Sequence, residues 1–195
     1  LGDLQESNNE NLSGILEQVG ADNFELAIQT GDLVDNGSNY SYWISTLGML
    51  DSLTMDRLQA VGNHEQEGGM DPHTTLYNQA DSDYYAMQVG NVFIATIAYN
   101  CFSDDVLAKL VEDANASEAT WKILVAHQPP YYTNAGAGMA SSTRDAIVKA
   151  LQEGGFDVML SGHDHAYART QPMTDGQVDE ENGITYFICG SLGEK

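Results

Sequence analysis

The sequence predicts an α/β fold whose main sheet is not purely parallel, and three observations lead there. Short apolar runs alternate with stretches of helical spacing along the 195 residues. Two apolar runs meet at Gly90-Asn91, a hairpin signal that introduces an antiparallel pair. Four other apolar runs end in a side chain able to bind a metal: Asp32, Asn63 with His64, His127, and His163 with His165.

In order along the chain, ENLSGILEQV (10–19) has helical spacing, and FELAIQT (24–30) reads as a buried strand ending at Gly31-Asp32. YSYWISTLGMLDSL (40–53) is helical, and RLQAVG (57–62) is a short strand ending at Asn63-His64. A polar, glycine-containing loop covers roughly 66–82, and the hairpin covers 84–99. DDVLAKLVEDANA (104–116) opens on aspartates, which suit the positive end of a helix dipole. WKILVA (121–126) is a strand ending at His127. SSTRDAIVKALQEG (141–154) has a serine cap, a helical body and a glycine stop. FDVMLSG (156–162) is a strand ending at His163, and ITYFICGS (184–191) is the last strand. No repeat, linker or charge block divides the chain, so residues 1–195 read as one domain with one core. Both ends lie directly beside structured sequence and read as trimmed, which leaves localisation open.

Composition excludes some classes. Seven Lys plus Arg against 29 Asp plus Glu give a net charge of −22, which repels a phosphate backbone, so nucleic-acid binding is not expected. The same field opposes anionic substrates unless cations gather locally, as bound metal ions would do. No stretch approaches the roughly 20 apolar residues of a membrane span, and no signal peptide is visible. Cys101 and Cys189 stand far apart and read as buried small apolar residues, with a disulfide left open. The Asn-x-Ser sequons at Asn11, Asn36, Asn39 and Asn115 carry little weight.

The crevice beyond the carboxyl ends of strands in an α/β sheet is where ligands bind, because adjacent loops converge there. Of the five histidines, all but His73 fall at such strand ends; His73, beside Pro72, reads as solvated or structural. Asp3, Asp32, Asn63, His127, His163 and His165 offer oxygen and nitrogen donors without cysteine, which suits Zn, Mn, Fe or Mg. Six donors exceed one tetrahedral site, so two ions sharing a carboxylate fit better. His163 and His165, one residue apart, can then each face a different ion. Neither a His-Glu-x-x-His pair nor a Gly-x-Ser-x-Gly elbow nor a phosphate-binding Gly-Lys-Ser/Thr loop is present.

The ordered set GDLVD (31–35), GNHE (62–65), VAHQ (125–128) and GHDH (162–165) resembles the calcineurin-like metallophosphoesterases, and the purple acid phosphatase branch in particular. SGHDHAYART (161–170) is similar to the His-Ala-Tyr-Glu-Arg run of that branch. The resemblance implies a four-layer αββα sandwich with two mixed β-sheets and a dinuclear centre at the strand ends. It implies that Asp32 bridges two ions, that Asn63, His127 and His163 complete one site, and that Asp3 and His165 belong to the other. His64 is implied to act on the phosphate or leaving group without binding metal.

The chain also departs from the pattern. Only two residues precede Asp3, which therefore reads either as a ligand or as a surface residue. Asp35 stands where the purple branch has Tyr, so the ferric-tyrosinate colour should be missing; its carboxylate reads equally as an outer hydrogen-bonding group or a solvated turn residue. YYTNAGAG replaces the histidine pair of the branch, leaving Tyr131, Tyr132 and Asn134 as pocket lining or packing. Tyr167 and Arg169, on a strand after the metal loop, read as packing and a salt bridge rather than substrate contacts.

The function expected is hydrolysis of a small phosphomonoester by a metal-activated hydroxide, with two divalent or trivalent ions as cofactors. A phosphodiesterase or nucleotide hydrolase with the same centre is the nearest alternative, and a non-catalytic metal-binding module is a further one. The branch favours a secreted or cell-surface setting. Oligomeric state is not legible.

Overall fold

The computed structural model describes residues 1–5, 12–22, 24–67, 73, 75–76 and 83–190. The helices among them are α1 (Leu12–Ala21), α2 (Tyr40–Leu50), α3 (Asn63–Gln66), α4 (Asp104–Ala116) and α5 (Ser141–Gly154). The strands are β1 (Leu26–Gln29), β2 (Asp56–Gln59), β3 (Tyr84–Val89), β4 (Val92–Ile97), β5 (Trp121–Ala126), β6 (Val158–Ser161), β7 (Tyr167–Arg169), β8 (Met173–Thr174), β9 (Gln177–Val178) and β10 (Thr185–Cys189).

Six strands form one mixed sheet in the order β3-β4-β5-β6-β10-β7. Its inner strands β4, β5, β6 and β10 are parallel, and the edge strands β3 and β7 run antiparallel. The hairpin at Gly90-Asn91 is the β3–β4 pair, with Val89 opposite Val92. Gly90 has φ +56, a backbone shape that glycine adopts without steric cost. The second sheet is the parallel pair β1–β2, so the mixed character resides in the larger sheet. Residues 1–3 run beside β1, with the Thr30 N–H donating to Leu1 O at 2.8 Å and the Asp3 N–H to Gly31 O at 3.0 Å.

Three apolar layers hold the sheets and helices together. Leu107 and Leu110 of α4 and Ile147 and Leu151 of α5 pack on Phe93, Leu124 and Met159 from one face of the six-stranded sheet. The other face meets β1–β2 through Ile94, Val125, Leu58 and Ala60, with Leu26, Ile28 and Leu160 beside them. Leu12, Leu16, Trp43 and Leu50 of α1 and α2 join Leu4, Leu33 and Val34 in the third layer. Each fully buried aliphatic chain contributes about 1.5–3 kcal/mol. The succession is helix, sheet, sheet, helix, as expected. Because both sheets are parallel where they matter, the carboxyl ends of β1, β2, β5 and β6 open on one side.

Local details differ from expectation. The residue before α5 is Ala140, which makes no side-chain cap, and Ser141 is already helical. That helix stops through Gly155 at φ 63, one residue beyond Gly154. α4 is capped by the Ser103 hydroxyl, which accepts from the Val106 N–H at 3.4 Å, with Asp104 and Asp105 in the first turn. β1 is shorter than FELAIQT because Phe24 is exposed. Cys101 and Cys189 are half-buried thiols, not a disulfide, since Cys189 sits at the end of β10 and Cys101 in a turn where its Sγ donates to Asp83 Oδ1 at 3.3 Å. His73 is not solvated: it is buried, 6.0 Å from the Trp43 ring. Burial pushes its pKa down to about 4, because an imidazolium there would lose its hydration. Most of the 66–82 loop, the first two residues of the 10–19 helix, Ser191 at the end of the last strand and the Asn11 sequon lie outside the described residues.

Candidate metal centre

Three of the six described non-glycine residues with positive φ are expected ligands: Asp3 (φ 53), Asp32 (φ 52) and His163 (φ 65). Each costs about 1–3 kcal/mol of backbone strain, which persists where surrounding structure imposes it and clusters at functional sites. At Asp32 and His163 the chain turns sharply just beyond β1 and β6. Gly62 makes room for this, since a β-carbon there would collide with the Asp32 carboxylate.

His127, fully buried at the end of β5, is the hub. Its Nδ1 lies 2.8 Å from Thr30 O, the arrangement in which that nitrogen donates and Nε2 is presented to the site. Around Nε2 stand Asp32 Oδ2 at 3.1 Å, Asn63 Oδ1 at 3.2 Å and His163 Nδ1 at 3.2 Å. With Nδ1 donating, Nε2 carries at most one proton and cannot satisfy three neighbours. A cation can. Ligand bonds of about 2.1 Å give donor spacings of roughly 3.0 Å in an octahedron and 3.4 Å in a tetrahedron, which brackets the observed spacing. Asp32, His127 and His163 satisfy the mutual distances of a three-ligand group. The donors therefore fit a metal ion.

The two histidines of GHDH part. His163 joins His127, whereas His165 Nε2 lies 3.2 Å from Asp3 Oδ1. Asp3 is 3% exposed and both its oxygens accept from the His163 N–H at 3.1 Å, so it is no surface residue. Asp3 thus links the His165 side of the cluster to the His127 side.

Electrostatics register the crowding. Burial alone would lower the His127 pKa, but Asp32 and Asp3 raise it to about 9. Burial likewise opposes the charge of Asp32, and the imidazoles of His127 and His64 nonetheless hold its pKa below the usual carboxylate range. The pocket demands positive charge.

His64, at the start of α3, stands apart from the donor cluster. Its Nδ1 lies 2.6 Å from the Asp35 carbonyl, and its Nε2 is 3.9 Å from Asp32 Oδ2. Asp35 thus meets His64 through its backbone oxygen. A pocket of about 360 Å³ is lined by Asp32, Asn63, His64, Asn134, Gly136, Ala137, His163 and His165. A roomier cleft of about 500 Å³ near Tyr131, Arg144 and Lys149 holds none of the converging donors. Of the other pocket candidates, Tyr131 packs edge-on against Tyr186 at 4.9 Å, and Tyr132 lies over Gly138. Tyr167 is 67% exposed on β7, so it does not pack as expected.

Sequence reasoning missed three residues. Glu65, fully buried, accepts the backbone N–H groups of Asp32 (2.8 Å), Leu33 (2.7 Å), Val34 (3.4 Å) and Gly62 (2.7 Å). It ties the loop after β1 to the loop after β2. Burial, then repulsion from Asp32, pushes its pKa up to about 7 against the pull of those N–H groups. Its place in GNHE was the available signal. Tyr99, just past β4, puts its ring 5.7 Å from His163 and 6.1 Å from His127. The third residue, Asp164, carries no sequence signal beyond its place between the histidines.

Comparison with known proteins identifies the family and the fold. The family model described as calcineurin-like phosphoesterase matches residues 1–167. Purple acid phosphatase 21 of Arabidopsis thaliana is 26% identical over 204 residues, covering 92% of this chain and 46% of that relative. The chain spans about half the length of the curated relatives it matches. Among solved structures, the purple acid phosphatase PPD1 of yellow lupin (Lupinus luteus) superposes with a TM-score of 0.81 at 17% identity, covering 95% of this chain and 40% of that one. A dimetal phosphatase of Danio rerio gives 0.74 at 14% identity, covering 94% and 78%. These structures share the fold.

Proposed function

The chain belongs to the calcineurin-like phosphoesterase family, and from that premise we propose that it hydrolyses phosphoester bonds at a dinuclear metal centre. Asp32 would bridge the ions, Asn63, His127 and His163 would hold one, and Asp3 and His165 the other. The observation that carries the reading is the convergence of Asp32, Asn63 and His163 on His127 Nε2 within 3.1–3.2 Å. Two bound ions, of Fe, Zn, Mn or Mg, would lower the pKa of a water toward neutrality and offset charge on the phosphoryl oxygens.

The protein's own groups would do the rest. Thr30 O fixes the His127 ring so that Nε2 faces the site. Asp32 Oδ1 accepts the His64 N–H at 3.0 Å, which holds α3 against the bridging carboxylate. The Asp35 carbonyl keeps the His64 ring oriented by accepting from Nδ1 at 2.6 Å, so that the doubly protonated ring would give its Nε2 proton to the leaving oxygen and return to the neutral form. Phosphoryl transfer needs little covalent help from a protein and much positioning and charge compensation, which this arrangement supplies. A small phosphomonoester is the preferred substrate. A secreted or cell-surface setting follows from the purple acid phosphatase resemblance.

Metal analysis of the purified protein, with p-nitrophenyl phosphate and bis(p-nitrophenyl) phosphate assayed before chelation, after it and after reloading, tests the reading. Metal-dependent turnover faster on the monoester is expected. Turnover faster on the diester would move the substrate to that class, and metal-loaded protein inert toward both would end the hydrolase reading.

A further inference from the structure

We propose that Asp164 is a positioning residue for the substrate-facing wall of this site, and that the Asn134 carboxamide on that wall hydrogen-bonds a phosphoryl oxygen of the substrate. The proposal rests on the phosphoesterase reading and deepens it. Asp164 lies between two expected ligands and is 3% exposed, yet its Oδ2 is taken up elsewhere. That oxygen accepts the Thr133 N–H, the Thr133 hydroxyl at 2.8 Å and the Asn134 N–H at 3.1 Å. A buried carboxylate accepting three bonds is a strong clamp, because charge-assisted hydrogen bonds are stronger than neutral ones and gain further in low dielectric.

The clamped segment runs directly into a turn. The Ala137 N–H donates to Asn134 O at 2.9 Å, and the Gly136 N–H to Asn134 Oδ1 at 3.1 Å. The second bond occupies the amide oxygen and leaves the NH₂ group as the end free to donate. Asn134, Gly136 and Ala137 line the same pocket as Asp32, His64 and His165. That lining holds no Lys or Arg. Outside the expected ligands, His64 and Asn134 are its side-chain N–H donors, so a phosphoryl oxygen that no metal neutralises meets a neutral carboxamide. The link from GHDH to Thr133 also couples the metal loop to this wall, so the wall is set at the distance the donor cluster dictates.

Asn134→Ala, Thr133→Val and Thr133→Ser test this in the metal-loaded chain, since none of them replaces an expected ligand or Asp164 itself. Asn134→Ala should raise KM for p-nitrophenyl phosphate and the Kd of inorganic phosphate together, by roughly tenfold or more, with kcat changed less and metal content unchanged. Thr133→Val should move both constants the same way by a smaller factor, and Thr133→Ser should restore them. Unchanged KM and phosphate Kd in Asn134→Ala would overturn the substrate contact. Thr133→Val indistinguishable from the unmodified protein would overturn the positioning role. If the unmodified protein binds phosphate but turns over no phosphoester, the hydrolase reading fails separately, and the phosphate titration still decides the Asn134 contact.

Discussion

The six-stranded sheet with α4 and α5 is held by apolar contact, whereas the β1–β2 side is held at its functional end by hydrogen bonds to buried carboxylates. On the first side Leu110, Leu124, Ile147, Leu151 and Met159 are fully buried, and its site contributions are ring nitrogens at the ends of β5 and β6. On the second, Glu65 alone gathers four backbone N–H groups from two loops. Apolar packing is non-directional and tolerates small shifts. A carboxylate satisfied by four fixed donors does not, and that rigidity holds Asp32 in a strained backbone shape.

Glu65→Ala should have the largest effect, because it strands four donors at once. We expect a loss of at least about 3 kcal/mol in denaturant unfolding, together with loss of metal retention. Full metal loading in that variant would show that the β1 and β2 loops need no tie. His64→Ala separates chemistry from structure: kcat should fall by roughly 10²–10⁴ while metal content and stability stay put. Equal loss of metal and turnover would make His64 part of the donor cluster instead. Leu151→Ala, on the apolar side, should cost about 2–5 kcal/mol by urea titration and leave kcat and metal content unchanged at temperatures where the variant is folded. A changed metal content there would mean that the two sides are not energetically separable.

A further effect is one of pH, and it marks the α2 side. His73 has its pKa lowered from 6.5 to about 4 by burial, so between those values the unfolded chain binds a proton that the folded chain refuses. Stability from keeping it neutral is fully present above pH 6.5 and falls by about 1.4 kcal/mol for each unit of acidification down to about pH 4. Urea unfolding of His73→Phe against the unmodified protein, at pH 7 and pH 5, should show a shallower loss in the variant. Parallel pH profiles would remove His73 from the account.

The two sides also differed in how far they could be read in advance. WKILVA and DDVLAKLVEDANA match β5 and α4 to the residue, and SSTRDAIVKALQEG matches α5 apart from its caps, because periodic apolar burial on a regular sheet leaves a local signature. β2 ends three residues before RLQAVG does, since the chain leaves the strand early to reach the site. The donors at Asp32, Asn63, His127, His163 and His165 were visible because a metal-capable side chain directly after an apolar run has few structural uses.

Pattern and chemistry along the chain were enough to establish the alternation of helices and strands, the hairpin and the metal-capable side chains at the strand ends, since each depends on residue type and short-range spacing, whereas the layer order was implied by the family resemblance. Which donor faces which, the burial of Asp3 and His73, and the roles of Glu65 and Asp164 depended on the folded arrangement. Glu65 and Asp164 act largely by accepting main-chain N–H groups distant in the chain, 32 residues away at Leu33 and 30 at Asn134. A backbone donor is the same at every residue but proline, so it leaves no mark in the sequence, and its partner becomes identifiable once the loops have met in space.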